Sequence, residues 1–487
     1  LLMSNSIRVN FLYSAILTVS NYFFPFITYP YVSRVLGVEK IGICNFVDGI
    51  IHYFILFSML GIVSVGIREI AKNRNDTQKI NRAFSTLFLL NTISTTIVLA
   101  ILISCIFFIP KFYIYKELML IGVLKLISNY LLIEWLYKGL ENFKLITQRT
   151  IIIKIVYVIS IFVFVQNESD FIVYYLLTVL MITFNAIYNL LYARKLISFS
   201  FVEVNMKYYI KPFFTIGIYM LLTSMYVSFN VAYLGFVANE IEVGYYTTAT
   251  KIYTIIISLF TAFTGVMLPR MSALLEEGRM QDFRKMILKS YNAFFCFAFP
   301  VILLSVTFAP QIIEIIAGKG YEGAITPMRI VMPLMLVIGI EQILVVQILM
   351  PLQKDKAIFV CSFVGAIIGV IMNMCLVNIY KSVGSSLVWV SSELVVLCVC
   401  QYYVYKYVRI GFPLNVILKN ILCAIPIILI IYFLYNFWDV SQYCKLLIMI
   451  VVVPIYFILV QVYIVKNDLV VSLVNKSRFL HDLLFTK

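Results

Sequence analysis

The sequence has little charge and almost no histidine. Charged residues make up 13% of its 487 residues, and the only histidines are His52 and His481. A soluble globular domain contains about a quarter charged residues, so this composition excludes that class. The nine cysteines include no CxxC pair and lie almost entirely in or beside apolar runs. We therefore expect no zinc site, no other metal and no cofactor.

All connections between the apolar runs are short, so the sequence contains no large polar loop. A polysaccharide polymerase or another membrane glycosyltransferase is expected to carry a catalytic acid or a metal motif on a sizeable outer loop. We therefore predict a transporter rather than an enzyme.

What the chain does contain is apolar, with 62% hydrophobic residues and a mean hydropathy of +0.99. Apolar runs of roughly 17–25 residues recur, the length of a helix that crosses a bilayer. The first run has no small-residue cleavage site, so we expect it to remain as a helix. We predict an all-α polytopic membrane protein with 14 transmembrane helices, at 10–33, 41–66, 83–109, 117–137, 150–166, 171–192, 212–236, 243–268, 290–309, 327–350, 357–379, 383–405, 415–436 and 443–465.

The net charge of +15 follows the positive-inside pattern and does not indicate nucleic acid. With the N-terminus inside, 27 Lys and Arg residues fall in cytoplasmic segments and only seven fall outside. This distribution predicts that both termini are cytoplasmic. Four cationic residues remain inside the predicted spans: Lys125, Lys154, Lys251 and Arg329.

An internal repeat aligns the first two spans with the seventh and eighth at an offset of 202 residues. Six spans separate the two starts, so the copies have the same orientation, as in transporters built from two halves around a cavity. The last two spans lie outside the repeat. The matched pairs are Asn21 with Thr223, Thr28 with Asn230, Gly42 with Gly244, His52 with Thr254, and Arg68 with Arg270.

Polar residues recur on single helical faces inside the predicted spans. Asn45, Asp48 and His52 share one face of the second span. The eighth span carries a stripe of Thr247, Lys251, Thr254, Ser258 and Thr261. Such hydroxyls line a cavity, or they bond their own backbone and join helices.

Charges inside the spans raise the free energy of membrane insertion, and three central lysines together raise it by roughly 10 kcal/mol. Near span ends, Lys125 and Arg329 are expected to snorkel. For Lys154, both snorkelling and a wet cavity remain open. Lys251 is expected to face a cavity, with an Asp48–Lys251 ion pair as the structural alternative.

Three acidic residues also fall within spans: Glu134, Glu341 and Glu393. Each is a candidate site for coupling to H+ or Na+. Because lysines, hydroxyls and amides outnumber the acids, a cavity of this kind suits an anionic, hydroxyl-rich passenger such as a phosphorylated sugar.

Three separated stretches between residues 5 and 410 resemble one family. They are SRVLGVEKIG from Ser33 with Asn45-Phe46 and GIREIAKNR, then GYYTTATK from Gly244 with Leu268-Pro269-Arg270, and finally FAPQIIEIIAGKGYEGA from Phe308. They resemble the Wzx-type flippases of bacterial lipid-linked oligosaccharides, which serve O-antigen (lipopolysaccharide) and capsule synthesis. These flippases form the polysaccharide branch of the MOP (multidrug/oligosaccharidyl-lipid/polysaccharide) exporter superfamily.

The resemblance implies two pseudo-symmetric six-helix lobes around a central cavity, followed by two C-terminal helices. The expected domains are an N-lobe at 1–200, a C-lobe at 201–410, and the last two helices with a cytoplasmic tail at 411–487. The implied passenger is an undecaprenyl-diphosphate-linked oligosaccharide, flipped by alternating access from the cytoplasmic to the outer leaflet of the inner membrane. A coupling ion and the polysaccharide polymerase and chain-length machinery are the further partners implied, and no nucleic acid.

The resemblance also assigns residue roles. Arg34 and Gly37 match the motif at the outer end of the first span, and Lys251 matches a cavity lysine. Arg68 and Arg270 match the cytoplasmic ends of the paired helices, where they act as a gate or as topological anchors. The substrate-pathway candidates are Lys251, Lys154, Asp48, Asn45, His52, Thr254 and Arg34.

Two other transporter classes compete with this interpretation. A multidrug antiporter of the same superfamily would transport cations and would therefore favour carboxylates in its cavity. Lys154 and Lys251 argue against such a cavity, because lysines repel cationic substrates. A flippase of the peptidoglycan lipid precursor also fits fourteen spans, although the opening motif is closer to the oligosaccharide branch.

Overall fold

The computed structural model describes residues 7–198, 204–437, 439–465 and 471. The predicted cytoplasmic tail from Lys466, including His481, therefore lies almost entirely outside the described residues. Eighteen α-helices occur in the described part: α1 Ile7–Met59, α2 Ile62–Lys72, α3 Thr77–Phe108, α4 Pro110–Ile114, α5 Lys116–Leu131, α6 Glu134–Gly139, α7 Phe143–Phe164, α8 Phe171–Ala193, α9 Met206–Val227, α10 Phe229–Val237, α11 Glu240–Glu276, α12 Met280–Thr307, α13 Ala309–Ile316, α14 Ile325–Val331, α15 Leu334–Gln342, α16 Asp355–Val408, α17 Leu414–Phe437 and α18 Gln442–Tyr463.

The long helix α1 is two crossings joined at Gly37. That glycine has φ 72° and ψ 170°, a left-handed conformation that a side chain disfavours. Leu17 and Leu60 pack against the same core cluster, whereas a straight helix would hold them about 65 Å apart. The chain therefore reverses between the predicted spans 10–33 and 41–66, with its turn at Gly37.

A second hairpin divides α16 at Lys381, which has φ 49° and ψ −122°. A Cβ built on Gly384 would lie 2.6 Å from the carbonyl oxygen of Leu376. Residues eight apart on a straight helix are about 12 Å apart along the axis, so the chain reverses here. This reversal separates the predicted spans 357–379 and 383–405.

Ten of the described helices are long and apolar enough to cross a membrane, and two bent pairs bring the number to twelve. Two of the ten, of 48 and 54 residues, are more than twice as long as one crossing requires. They are the two helices that the hairpins at Gly37 and Lys381 divide. The chain is an all-helical, multi-pass membrane protein.

The described chain forms two compact units. Unit 1 comprises residues 1–247, 316–320 and 370–385, and unit 2 comprises 248–315, 321–369 and 386–487. In unit 1, an aromatic core forms where Trp135 of α6 stacks on Phe84 of α3 with ring centroids 5.3 Å apart. In unit 2, α17 and α18 pack around Ile427 and Phe457. The division into lobes at 200 and 410 stays a prediction.

Candidate functional site

Matching positions of the two repeat copies touch each other within unit 1. A Cβ on Gly42 would lie 1.8 Å from the carbonyl oxygen of Glu240, and one on Gly244 would lie 2.3 Å from that of Val38. Gly42 matches Gly244 at the repeat offset of 202, and Val38 matches Glu240 at the same offset. The two contacts are therefore reciprocal, as expected of copies related by a twofold axis. Both positions need glycine because backbone atoms occupy the space of a side chain.

One turn further along the same helices, the amide of Asn45 donates a hydrogen bond to the Thr247 hydroxyl at 2.9 Å. These two residues are again separated by 202 positions. Beside them, the Lys111 ammonium lies 3.2 Å from a carboxylate oxygen of Glu240. Asn45, predicted to line the pathway, therefore joins the two copies directly.

Asp48 forms an ion pair with Lys125 of α5, and the Tyr175 hydroxyl of α8 lies 3.4 Å from the same carboxylate oxygen. The Lys125 side chain is only 12% exposed. The expectation that Lys125 snorkels was therefore wrong, because its ammonium pairs with the half-exposed carboxylate of Asp48. The cation that the structure places beside Asp48 is Lys125, and the Asp48–Lys251 pair stays a prediction. His52, one turn after Asp48, lies exposed on the surface of the protein.

Lys154 of α7 is buried, with 7% of its surface exposed. Its ammonium donates to the amide oxygen of Asn21 at 2.6 Å and to the Ser20 hydroxyl at 3.3 Å. It also lies 5.7 Å from the ring centroid of Phe24. Among the ion pairs of the described residues, none involves Lys154. The structure thus holds a buried cation whose direct hydrogen-bond partners are neutral dipoles, with the Glu134 carboxylate acting on it from beyond contact distance. The snorkelling alternative is not what it shows.

Glu134, at the start of α6, is held by two cations. Its carboxylate lies 3.0 Å from the Arg149 guanidinium and 3.1 Å from the Lys138 ammonium. Arg149 is buried and also donates to the side-chain oxygen of Asn189. The Asn189 amide in turn donates to the carbonyl oxygen of Leu132, where α5 ends. This network fixes the break that divides the predicted span 117–137 into α5 and α6.

Glu341 and Glu393 are neighbours in unit 2, where their carboxyl groups interact electrostatically. Two neighbouring carboxylates repel each other, so a pair of this kind favours holding one proton between its members. Glu393 is 4% exposed and accepts a hydrogen bond from the Trp389 indole at 3.1 Å. A π-helix, Ile343–Leu349, begins two residues after Glu341, a distortion frequently found at functional sites.

The other predicted residues lie apart from these clusters. Arg34 is exposed, donates to the Pro30 carbonyl at 3.2 Å and packs on Gly318. At the end of α2, Arg68 lies 3.5 Å from the Glu69 carboxylate. Arg270 is exposed on α11.

The α11 stripe bonds largely to its own backbone. The Thr254 hydroxyl donates to the Lys251 carbonyl at 2.9 Å, and Thr261 donates to the Ile257 carbonyl. Lys251 is half-buried. These two hydroxyls therefore donate to the backbone of their own helix, the second of the two alternatives given for them.

Sequence reasoning missed three members of these clusters: Tyr175, Arg149 and Trp389. Arg149 was assigned to a cytoplasmic segment because it precedes the predicted span 150–166. Trp389 lies four residues before Glu393 on the same helical face, a spacing that could have found it. Tyr175 carries no sequence signal, because only the packing of α8 against α1 brings it to Asp48.

Comparison with known proteins agrees with this architecture. The family described as polysaccharide biosynthesis proteins matches residues 7–275, more than half of the chain. The chain belongs to this family. A protein of Escherichia coli (strain K12) named as an O-antigen transporter is 23% identical over 405 residues, covering 82% of this chain and 97% of the relative. A relative of the same name in Shigella dysenteriae is 25% identical over 373 residues, covering 75% of this chain and 91% of the relative.

Solved structures share the fold of this polysaccharide biosynthesis protein. The lipid II flippase MurJ superposes with a TM-score of 0.77 at 16% identity, covering 94% of this chain and 99% of that chain. A multidrug resistance MATE transporter of the MOP superfamily superposes with a TM-score of 0.60 at 12% identity, covering 84% and 96%. The family match and the two relatives confirm the resemblance to polysaccharide flippases, and the solved structures show that the fold is shared.

Proposed function

We propose that this chain is a flippase that moves undecaprenyl-diphosphate-linked oligosaccharide repeat units from the cytoplasmic to the outer leaflet of the inner membrane. The family and the relatives named as O-antigen transporters support a transporter of polysaccharide repeat units, not an enzyme. Alternating access of two lobes, with both termini cytoplasmic, completes the proposal.

The observation that carries this proposal is the environment of Lys154. An ammonium buried among neutral dipoles in an apolar bundle is costly, and an anionic ligand lowers that cost. The diphosphate of the lipid carrier is an anion of this kind. By contrast, Lys125 already pairs with Asp48. We therefore propose that Lys125 stabilises the helix bundle and does not bind the passenger. A multidrug antiporter of cations gains nothing from a buried lysine that has no direct carboxylate partner.

The test is transbilayer movement of a labelled undecaprenyl-diphosphate oligosaccharide in proteoliposomes, with the Lys154→Met and Lys154→Arg variants. Methionine keeps the size of the side chain and removes the charge, and we expect the rate to fall at least about tenfold, the loss of one charge-assisted bond to phosphate. Arginine keeps the charge and should retain part of the rate. Lys144→Met is the matched control, because Lys144 is exposed on the same helix. Native rates in Lys154→Met would remove Lys154 from the pathway.

We further propose that the coupling ion is a proton carried by Glu341 and Glu393. Two neighbouring carboxyl groups favour taking up a proton over carrying two negative charges, and an indole N–H donor cannot serve as a ligand for Na+. Glu134 is less suited to this role, since Arg149 and Lys138 hold its carboxylate.

Coupling can be measured by driving the same transport assay with a pH gradient in sodium-free buffer. We expect the gradient to accelerate the native chain and to have no effect on Glu393→Gln. Glu276→Gln, which changes an exposed acid of unit 2, should respond as the native chain does. A native chain that responds to a sodium gradient and ignores the pH gradient would contradict proton coupling.

A further inference from the structure

A basic pocket lies within unit 2, between the start of α12 and the connection from α16 to α17. Its volume is about 400 Å³. On α12 it is lined by Arg284, Leu288 and Tyr291, which follow each other at steps of four and three and so share one helical face. The connection contributes Arg409, and Leu414 contributes the start of α17. The proposed passenger and proton sites use none of these five residues.

Hydrogen bonds hold the connection in place. The Arg284 guanidinium donates to the carbonyl oxygen of Val408, the last residue of α16, at 3.0 Å. The Gln401 amide donates to the Ile410 carbonyl oxygen at 2.9 Å. Arg409 stands between these two carbonyls with φ 55°, in the left-handed conformation that favours glycine. Contacts between the elements therefore form this wall of the pocket, and its backbone conformation does not itself call for an arginine.

Among the described residues, neither arginine of the pocket has a carboxylate within ion-pair distance. Arg284 contacts a backbone carbonyl, and Arg409 lies 5.4 Å from the ring centroid of Tyr405. The acid nearest to Arg284 in sequence, Asp282, pairs with Arg279 at 2.9 Å. A guanidinium stays charged and carries five N–H donors, so both side chains keep donors for an anion.

Two uncharged features of the pocket also suit an anion. Tyr291 is 2% exposed, and its hydroxyl has no hydrogen-bond partner within the part of the chain that the structure describes. A buried hydroxyl without a partner is destabilising, and an acceptor oxygen in the pocket would relieve it. The 24-residue helix α17 begins with Leu414, Asn415 and Val416 in the pocket lining. The N-terminus of a helix favours negative charge.

Apolar side chains beside these charges indicate that the anion is part of a lipid. Leu288, Phe412 and Leu414 line the pocket and are 43–54% exposed, and a free phosphate would gain nothing from them. The pocket lies in the predicted cytoplasmic segments 270–289 and 406–419, at the level where basic pockets meet anionic headgroups. The chain's own tail from residue 466 carries four basic and two acidic residues, so its charge does not complement the arginines.

We propose that this pocket binds the phosphate of an anionic phospholipid of the cytoplasmic leaflet, such as phosphatidylglycerol. Arg284 and Arg409 bind the phosphate, the Tyr291 hydroxyl donates to an oxygen of the headgroup, and the acyl chains contact Leu288 and Leu414. Phosphatidylcholine carries an ammonium beside its phosphate, which the arginines repel, so it should bind more weakly. The bound lipid joins α12 to the start of α17, whatever passenger the protein moves.

Native mass spectrometry of the full chain in detergent, titrated with phosphatidylglycerol, tests the site. Arg409→Gln removes one charge and should weaken binding of the first lipid about tenfold. Tyr291→Phe removes only the hydroxyl that has no partner in the described structure. It should therefore leave the melting temperature unchanged and weaken binding about fivefold. Lys285→Gln and Tyr402→Phe are matched controls, because both residues are exposed and lie outside the pocket. They should bind within about twofold of the native chain.

Native affinity in both Arg409→Gln and Tyr291→Phe would overturn the site. Phosphatidylcholine that binds as tightly as phosphatidylglycerol would also overturn it, because the headgroup charge would then be irrelevant. Displacement of phosphatidylglycerol by inorganic phosphate at the same concentration would show that a free anion suffices, and would overturn the lipid. Displacement by an equal amount of undecaprenyl phosphate would assign the pocket to the carrier lipid and overturn the phospholipid assignment.

Discussion

Replacing Gly42 with alanine should force the two repeat copies apart. The new Cβ would lie 1.8 Å from the carbonyl oxygen of Glu240, 2.7 Å from its carbon and 3.0 Å from the Gly244 nitrogen. All three are backbone atoms, so no rotamer change relieves the clash. Ordinary contact begins near 3.4 Å, and the helices must therefore separate by about 1.5 Å.

That separation would lengthen the Asn45–Thr247 hydrogen bond from 2.9 Å to about 4.4 Å, beyond bonding distance. Overpacking of 1–3 kcal/mol and a lost hydrogen bond of about 1 kcal/mol together disfavour the closed contact by about 3 kcal/mol. The closed arrangement should then be populated roughly 150-fold less relative to an open one. If transport requires this contact to form and break, flipping slows as well.

Cross-linking measures the contact directly. In a variant without native cysteines, Asn45→Cys and Thr247→Cys should react together with a short bifunctional thiol reagent. We expect Gly42→Ala to abolish this cross-link. Gly265→Ala, on the same helix as Thr247 but with no atoms within 4 Å of the new Cβ, should leave it unchanged. A native cross-linking rate in Gly42→Ala would refute the reciprocal contact.

Two further predictions concern stability. Lys125→Met should lower the stability of the purified protein by about 1 kcal/mol, because it leaves the half-exposed carboxylate of Asp48 without its cation. Adding Asp48→Asn should restore most of that loss, and thermal unfolding in detergent checks both. Asp76→Ala should lower the melting temperature because Asp76 caps α3 by accepting from the Gln78 and Lys79 backbones, whereas Asp76→Asn should stay closer to native. Because the folded pKa of Asp76 is lowered, its contribution is present at neutral pH and is lost as the pH falls below about 3.9, which a pH series of melting curves would show.

Hydropathy and charge distribution predicted most of the fold. Apolar runs of bilayer length located the spans, and Gly37 stands in the turn that the sequence placed between the first two. The helix breaks were harder to foresee, because the break at Ile133, with φ 37°, depends on a hydrogen bond from Asn189, 56 residues away. No local pattern signals such a partner.

The sequence identified the candidate charged residues but not the residues with which they pair. Asp48, Lys125 and Lys154 were visible as charges within apolar runs, while the cost of burial does not tell which charges pair. Packing of α5 against α1 assigns Lys125 to Asp48 and leaves Lys154 with Asn21 and Ser20. The repeat offset of 202, in contrast, was readable from the sequence and agrees with the Asn45–Thr247 bond.

Transport by the native chain is the most direct test of the central claim. Proteoliposomes would be loaded with a fluorescent undecaprenyl-diphosphate oligosaccharide, and separately with a fluorescent lipophilic cation. We predict that the chain moves the lipid-linked oligosaccharide across the bilayer and leaves the cation where it is. Movement of the cation alone would contradict the flippase and identify a multidrug antiporter.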